Sequence, residues 1–263
     1  MDWSLVLLRV ALLFYALAFV TTFVPVLRAG ERRALRATPW LAGAGVLAHS
    51  GALVALGVML ARCPLATLPE VLSALAWTAI LIELFIAWRY RLQVLHAIIL
   101  PLVLVVLFVS DLLPPGVVPV GGPLKPWLRP LHIFVILLGV AALFITFAAS
   151  LIYVLVDRAL KAKRPARFFM ALPSLERCET IGRISLLWAF PLLTLGIVTG
   201  AVVSASLTGH FWTWQPRETL AVLSWLTLGA VVVARLGWGW RGRQAAILTI
   251  IGFGLVFLRM LGV

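Results

Sequence analysis

The sequence has few charged side chains and very few acidic ones. Of its 263 residues, 12% are charged, and only nine are Asp or Glu. An ordinary soluble domain is about 25% charged. The low charge excludes a soluble enzyme, and the 63% hydrophobic content excludes a disordered tail. The composition instead indicates an all-α polytopic membrane protein, because a helix that spans a bilayer needs about 20 mostly apolar residues.

Cysteine and histidine are also scarce. The two cysteines, Cys63 and Cys178, form no CxxC pair and are predicted on opposite sides of the membrane, so the sequence has no thiol-redox motif. It also lacks a P-loop, a dinucleotide-binding fingerprint and a HExxH motif. With only four histidines, at 49, 96, 132 and 210, each can be considered as a separate candidate ligand.

The apolar runs predict about eight transmembrane helices in a single domain over 1–263. The predicted spans are roughly 3–27, 39–61, 69–88, 94–113, 131–156, 184–206, 218–236 and 245–261. The first run is preceded by no basic residue and is too long for a cleavable signal, so it is predicted to be a span.

The net charge of +13 is explained by topology. Most of the 22 Lys and Arg fall in the connections after spans 1, 3, 5 and 7. The positive-inside rule predicts that these connections are cytoplasmic and that both termini lie outside. Membrane lipid is therefore the expected partner of the basic residues, and nucleic acid is not. The predicted location is a bacterial inner membrane, and residues Arg167 to Arg183 are predicted to form an amphipathic helix on anionic lipid.

The connection before span 7 is the most informative stretch. Gly209 to Thr219 reads Gly-His-Phe-Trp-Thr-Trp-Gln-Pro-Arg-Glu-Thr. Such a loop is often only an interfacial aromatic belt. Its parts also suit a porphyrin: Trp212 and Trp214 offer flat apolar faces, Arg217 and the helix start attract carboxylates, and His210 is a candidate iron ligand.

The loop resembles the tryptophan-rich motif of the cytochrome c assembly family, the haem-handling membrane proteins of the CcsA, CcmC and HemX types. That motif runs approximately Trp-x-Trp-Asp-Pro-Lys/Arg-Glu, and five of its positions are matched by Trp212, Trp214, Pro216, Arg217 and Glu218. The likeness extends to Leu131-His132 at the start of span 5 and to Leu172-Pro-Ser-Leu-Glu176, which is similar to the HemX-like branch.

The resemblance implies haem handling for cytochrome c maturation, with a haem of b type bound or presented on the periplasmic face. A partner membrane protein is implied, and any haem-attachment activity would come from a complex rather than from this chain alone. The haem-binding residues carried over or suggested by position are His132, His210, Trp212, Trp214, Arg217 and His49. Of these, His132 and His210 are the candidate ligands of the haem iron.

Three departures from the family pattern weaken that transfer. The inner end of span 7 reads Val231-Val-Val-Ala-Arg235, where family members often carry a histidine. Gln215 replaces Asp, which is a better helix N-cap. No histidine follows the last span up to Val263, where CcsA-type members have one, so a two-histidine periplasmic site would need His132 together with His210. An alternative function is a HemX-like regulator of glutamyl-tRNA reductase, acting through the cytoplasmic 5–6 loop. A third is a transporter of another substrate.

The remaining polar residues within the spans have structural interpretations. Glu83 is expected to pair with Arg89 or Arg91, and His96 is expected to be solvated at the inner end of span 4. His49, near the middle of span 2, is either a haem ligand or a neutral histidine bonded to a neighbouring helix. Gly196 and Gly200 are four residues apart in span 6 and predict a close helix-packing face.

Overall fold

The computed structural model describes residues 3–28, 36–90, 95–114, 128–162 and 174–260. These residues form eight α-helices and no strand. The helices are α1 (Trp3–Arg28), α2 (Thr38–Leu60), α3 (Leu68–Tyr90), α4 (His96–Leu112), α5 (Leu128–Lys161), α6 (Leu175–Thr208), α7 (Pro216–Gly237) and α8 (Arg243–Met260). The prediction of an all-α polytopic membrane protein is confirmed.

Six of the described helices, α1 to α3 and α5 to α7, are long and apolar enough to cross a membrane. The apolar helix α4 has 17 residues, or about 26 Å at 1.5 Å per residue. That length is at the lower limit for a span. Helices α5 and α6 have 34 residues each, or about 51 Å. They are longer than the roughly 30 Å hydrocarbon core, so both extend beyond it.

Helix α6 begins earlier than the predicted span 6. Residues 175–183 do not belong to a separate surface helix, because α6 begins at Leu175 and runs through Arg183 into the predicted span. The side chain of Ser174 caps this start by accepting a hydrogen bond from the backbone N–H of Arg177 at 3.4 Å. The rest of the predicted amphipathic helix, residues 167–173, lies outside the described residues.

The contacts divide the chain into two compact units. Unit 1 comprises Met1–Val117 with Arg158–Pro173, and unit 2 comprises Val118–Asp157 with Ser174–Val263. Helices α1 to α4 therefore belong to unit 1, and most of α5 together with α6 to α8 belongs to unit 2. The single domain over 1–263 and the position of both termini outside the membrane stay predictions.

In unit 1, α1 packs closely on α2. A Cβ atom at Gly45 would lie 2.5 Å from Cε1 of Tyr15, so only glycine allows this approach. The hydroxyl of Thr22 donates to that of Thr38 at 2.9 Å and joins the same two helices. The short connection to α3 is fixed by Arg62, which donates to both carboxylate oxygens of Glu70 at 2.7 and 2.8 Å. This hydrogen bond raises the pKa of Arg62.

In unit 2, α5 packs against the glycine face of α6. A Cβ atom at Gly196 would lie 2.5 Å from Cδ1 of Ile136, and one at Gly200 would lie 2.9 Å from Cε1 of His132. The packing face predicted from this pair of glycines is therefore confirmed. At the other end of α6, Arg235 of α7 donates to Glu179 at 2.7 Å. The same carboxylate accepts from the backbone N–H of Gly242, which fixes the connection to α8.

Candidate functional site

The tryptophan-rich loop lies in unit 2, between α6 and α7. Helix α6 ends at Thr208 and is capped by Gly209, which has a left-handed φ of +77° and donates its N–H to the carbonyl of Ala205 at 2.9 Å. Helix α7 begins at Pro216, whose fixed φ suits a first helical position. The side chain of Gln215 makes no capping hydrogen bond, as the replacement of Asp predicts.

Glu218 holds the loop in place. Its carboxylate accepts from the backbone N–H of Thr213 at 2.7 Å and from the hydroxyl of Thr213 at 2.8 Å. Glu218 is the third residue of α7, and an acid at that position in a capping box bonds the backbone N–H of the N-cap residue. The structure instead shows it reaching two residues further back, so this side chain orders the tryptophan loop as well as the first turn of α7.

Trp214 is displayed in an unusual conformation. Its φ is +57°, a left-handed value that a bulky residue rarely adopts, and its side chain is 78% exposed. Trp212 is half-buried, and the two indole rings meet edge to face with centroids 6.0 Å apart. The Nε1–H of Trp212 is shielded from solvent and has no hydrogen-bond partner among the described residues. The loop therefore combines an exposed aromatic face with an unused donor.

Arg217 is the second residue of α7, and its side chain lies outside the described residues. His210 is exposed, and its backbone N–H donates to the hydroxyl of Thr208 at 3.3 Å. At the start of α7, Pro216 has no N–H, and the N–H groups of Glu218 and Thr219 both donate to the carbonyl of Gln215. The partial positive charge of a helix N-terminus still favours an anion there.

His132 is half-buried near the start of α5. Its Nδ1 lies 2.9 Å from the hydroxyl of Thr199 on α6, and its ring packs on Gly200. The positively charged Arg259 on α8 is close enough to interact electrostatically with this imidazole. Among the described residues, no hydrogen bond reaches Nε2 of His132, so that nitrogen is available to a ligand.

The structure does not bring His132 and His210 together. His132 contacts α6 at the level of Gly200, whereas His210 follows the end of α6 at Thr208. Eight residues of helix span about 12 Å. The joint ligation of one iron by both histidines stays a prediction, and it would require the loop to fold back along the helix.

His49 has a different environment, in unit 1. It is fully buried, with Nε2 2.9 Å from the hydroxyl of Ser73 and Nδ1 3.4 Å from that of Tyr15. Each ring nitrogen therefore lies within hydrogen-bond distance of a hydroxyl on a neighbouring helix. This arrangement agrees with the alternative that His49 is a neutral histidine bonded to a neighbouring helix. Its ligation of a haem stays a prediction, and it would require one of these hydroxyls to be displaced.

One expectation for the other polar residues is wrong, and the pairing of Glu83 with Arg89 or Arg91 stays a prediction. His96 is not a solvated interfacial residue, because its side chain is 1% exposed. Glu83 is also fully buried, and its Oε1 lies 2.6 Å from Nδ1 of His96. The expected arginine partner Arg91 lies outside the described residues. In the part of the chain that the structure describes, no group of three or more His, Cys, Asp or Glu side chains forms a metal site.

Sequence reasoning missed the two threonines that orient the site residues. Thr213 ties the tryptophan loop to Glu218, and Thr199 bonds His132. A signal for Thr199 was present: it directly precedes Gly200 on the predicted packing face of α6, which has to meet a neighbouring helix. No comparable signal existed for Thr213, because its contact depends on the positive φ of Trp214.

Comparison with known proteins gives a consistent result. Residues 65–263 match the family described as "Cytochrome C assembly protein". Proteins named "Cytochrome c biogenesis protein CcsA" are similar: the one from Guillardia theta is 30% identical, with 76% of this chain and 73% of the relative covered. The one from Heterosigma akashiwo is 31% identical with the same coverage. The one from Prochlorococcus marinus is 30% identical, with 76% and 72% covered.

A solved structure, "Cytochrome c Heme Lyase CcmF", shares the fold with a TM-score of 0.72 at 18% identity. The likeness covers all of this chain, which spans about half (49%) of that longer chain. The HemX-like branch is not supported by these matches. Because the relatives come from plastids as well as cyanobacteria, the predicted bacterial inner membrane is not confirmed. The match over 65–263 and the relatives of at least 30% identity show that this multi-pass chain belongs to the cytochrome c assembly protein family.

Proposed function

We propose that unit 2 binds haem at the tryptophan loop and at His132, and presents it on the outer face of the membrane for cytochrome c maturation. The observation that carries this proposal is the display of Trp214, 78% exposed and at a φ of +57°, by the hydrogen bonds between Glu218 and Thr213. A residue held in a strained conformation outside the core has a cost of about 1–3 kcal/mol. Such strain is more often found at binding sites than in a passive aromatic belt.

The loop suits the chemistry of haem. The exposed indole of Trp214 offers an apolar face for a flat ring. The propionates are anions. The Nε1–H of Trp212, which has no partner among the described residues, can donate to one of them, and the partial positive charge at the start of α7 attracts them. A shielded N–H without a partner costs about 1–3 kcal/mol, so a ligand carboxylate at this position would be stabilising.

His132 is the proposed iron ligand. A neutral imidazole binds metal through a nitrogen that carries no proton, and Nε2 of His132 has no hydrogen bond within the described ranges. The fully engaged His49 does not fit this role in its present geometry. His210 is the alternative ligand, since its exposed position in the loop leaves the imidazole accessible.

The outer face follows from the positive-inside rule, which assigns the basic connections to the cytoplasm and the tryptophan loop to the opposite side. The names of the relatives, cytochrome c biogenesis proteins, motivate cytochrome c as the destination of the haem. Joining haem to a cytochrome requires a protein substrate with reduced thiols. We expect a partner membrane protein to contribute that substrate's binding site, and this chain to hold and orient the haem.

A haem titration of the detergent-purified, full-length protein tests the proposal. The wild type is expected to give a Soret band on adding haem, and His132→Ala is expected to weaken binding at least tenfold. Trp214→Ala should lower haem affinity, whereas Trp40→Ala, which removes an 81% exposed tryptophan of α2, should not.

Three results would count against these assignments. Failure of the wild type to bind added haem would overturn the function itself. Loss of the Soret band in His210→Ala but not in His132→Ala would move the iron to the loop histidine. Equal weakening by Trp40→Ala and Trp214→Ala would show that the loop is an ordinary interfacial belt.

A further inference from the structure

We propose that Thr199 is a positioning residue that fixes the tautomer of His132, with the proton on Nδ1 and the lone pair on Nε2. This inference rests on the proposed haem-binding function for its purpose, because it assigns Nε2 as the iron ligand. Its structural part, the position of one proton, can be tested without haem.

The hydroxyl of Thr199 has a single hydrogen, which it donates to a backbone carbonyl of its own helix. Oγ1 of Thr199 lies 2.7 Å from the carbonyl oxygen of Leu195, one turn earlier in α6. It also lies 3.2 Å from the carbonyl oxygen of Gly196. Both neighbours are acceptors only, so the hydroxyl must donate to one of them or share its hydrogen between them. No second hydrogen is left for the imidazole.

The contact with His132 must then run in the opposite direction. Nδ1 of His132 lies 2.9 Å from Oγ1 of Thr199, a normal hydrogen-bond distance. With its hydrogen committed to the backbone, Oγ1 serves as acceptor and Nδ1–H as donor.

The other tautomer, with the proton on Nε2, would be unfavourable both for the hydrogen bond of Thr199 and for metal binding. If Thr199 donated to Nδ1, its oxygen would face the carbonyl of Leu195 at 2.7 Å with no hydrogen between the two. The proton would then reside on Nε2, where it blocks coordination of a metal. A hydrogen bond on one ring nitrogen commonly sets which nitrogen of a ligating histidine faces the metal.

Gly200 completes the arrangement by fixing the position of the ring. A Cβ atom at this position would lie 2.9 Å from Cε1 of His132, closer than real Cβ contacts. The ring therefore lies against bare backbone at Gly200 while the adjacent Thr199 bonds its Nδ1. The chain thus offers two separate variants, one that alters the proton and one that alters the ring position.

Nitrogen-15 NMR of histidine-labelled, full-length protein in detergent tests the proposal directly. The protein has four histidines, so His132→Ala identifies the signal of His132. At alkaline pH, where the imidazole is neutral, the haem-free wild type is expected to show protonated Nδ1 and unprotonated Nε2. Thr199→Val should shift the population towards protonated Nε2 and weaken haem binding about tenfold to a hundredfold. Thr199→Ser, which keeps the hydroxyl, should retain the wild-type spectrum and affinity.

Gly200→Ala separates the proton from the ring position. It keeps the hydroxyl of Thr199, so we expect weaker haem binding with protonated Nδ1 retained. Protonated Nε2 in the wild type would overturn the proposal, even if no Thr199 variant folds. An unchanged tautomer in Thr199→Val would overturn it as well. A Thr199-dependent tautomer in a protein that binds no haem would support this inference and refute the proposed function, so the two failures are distinguishable.

Discussion

Two helix-borne histidines, one in each unit, show how differently this chain uses the same side chain. His49 is fully buried, with a hydroxyl at each ring nitrogen. His132 is only half-buried, and a hydroxyl engages one nitrogen and not the other. Burial within a membrane protein therefore does not by itself mark a ligand. A histidine with one ring nitrogen held by a hydrogen bond and the other without one is a better candidate for a metal ligand.

The largest effect on stability is expected at His96, the other buried histidine of unit 1. Its Nδ1 lies 2.6 Å from a carboxylate oxygen of Glu83. Removing one partner of a buried pair leaves the other without compensation and typically costs about 3–5 kcal/mol. Glu83→Leu should therefore strongly lower the unfolding temperature of the purified protein, because it removes the carboxylate beside the fully buried His96. Replacing both residues by leucine should recover most of the loss, since an apolar pair of similar volume is often as stable.

Additive losses in the double variant would contradict this account of Glu83 and His96. So would a Glu83→Leu protein as stable as the wild type. Arg235→Leu provides a comparison in unit 2, because Arg235 pairs with Glu179 at a site where that carboxylate is partly exposed. We expect a smaller loss there, since water compensates a partly exposed charge.

Alanine variants of His49 and His132 should have opposite effects. His49→Ala leaves the buried hydroxyls of Tyr15 and Ser73 without their partner. At about 1–2 kcal/mol for each, since the contact with Tyr15 is long at 3.4 Å, we expect a loss of about 2–4 kcal/mol in the free energy of unfolding, with haem affinity nearly unchanged. His132→Ala should reverse the pattern, with a small loss of stability and at least tenfold weaker haem binding.

The measurements are thermal unfolding and haem titration of both variants under the same conditions. His49→Gln is the control, because its amide can still serve the two hydroxyls as donor and acceptor. A large loss of haem binding in His49→Ala, with His132→Ala unaffected, would reverse the assignment and place the haem in unit 1.

A smaller effect is expected at the tryptophan loop. Glu218→Ala removes the acceptor for both donors of Thr213, but the carboxylate is only half-buried, so water replaces part of each bond and the expected loss in the free energy of unfolding is about 1–2 kcal/mol. The loop should lose its order, so the tryptophan fluorescence should change and haem affinity should fall. Glu218→Gln keeps one carbonyl acceptor and should show an intermediate loss. Equal haem affinity in all three proteins would mean that the display of Trp214 does not contribute to binding.

Much of the fold was predictable because a membrane span is a property of local composition. The described helices coincide with the predicted spans, apart from the ends of α5 and α6. The early start of α6 was missed because Arg177 and Arg183 interrupt the apolar run, although the backbone there remains helical. Hydropathy predicts which residues can lie in lipid. The helix itself extends beyond those residues, because its backbone hydrogen bonds continue into the polar segment.

The candidate site was only partly predictable. Its residue types were visible in the sequence, and so was the weak cap at Gln215. The pairing of Glu83 with His96 was not, because it depends on which faces of α3 and α4 meet. The order of the site follows from single hydrogen bonds between helices, such as that of Thr199 with His132, and a single sequence does not specify how each helix is rotated about its axis.

The smallest expected effect separates helix capping from charge at the start of α7. Gln215 has the extended conformation of an N-cap but makes no side-chain bond. Asn and Asp are better N-caps, so Gln215→Asn and Gln215→Asp should each stabilise the protein by about 0.5–1 kcal/mol. They should differ in ligand binding, because only Asp adds a negative charge where the propionates are proposed to bind. We therefore expect a higher unfolding temperature in both variants, with haem affinity retained in Gln215→Asn and lowered in Gln215→Asp. The same affinity in both would show that the carboxylates of the ligand do not approach this helix end, and the anion-binding role of the α7 N-terminus would be refuted.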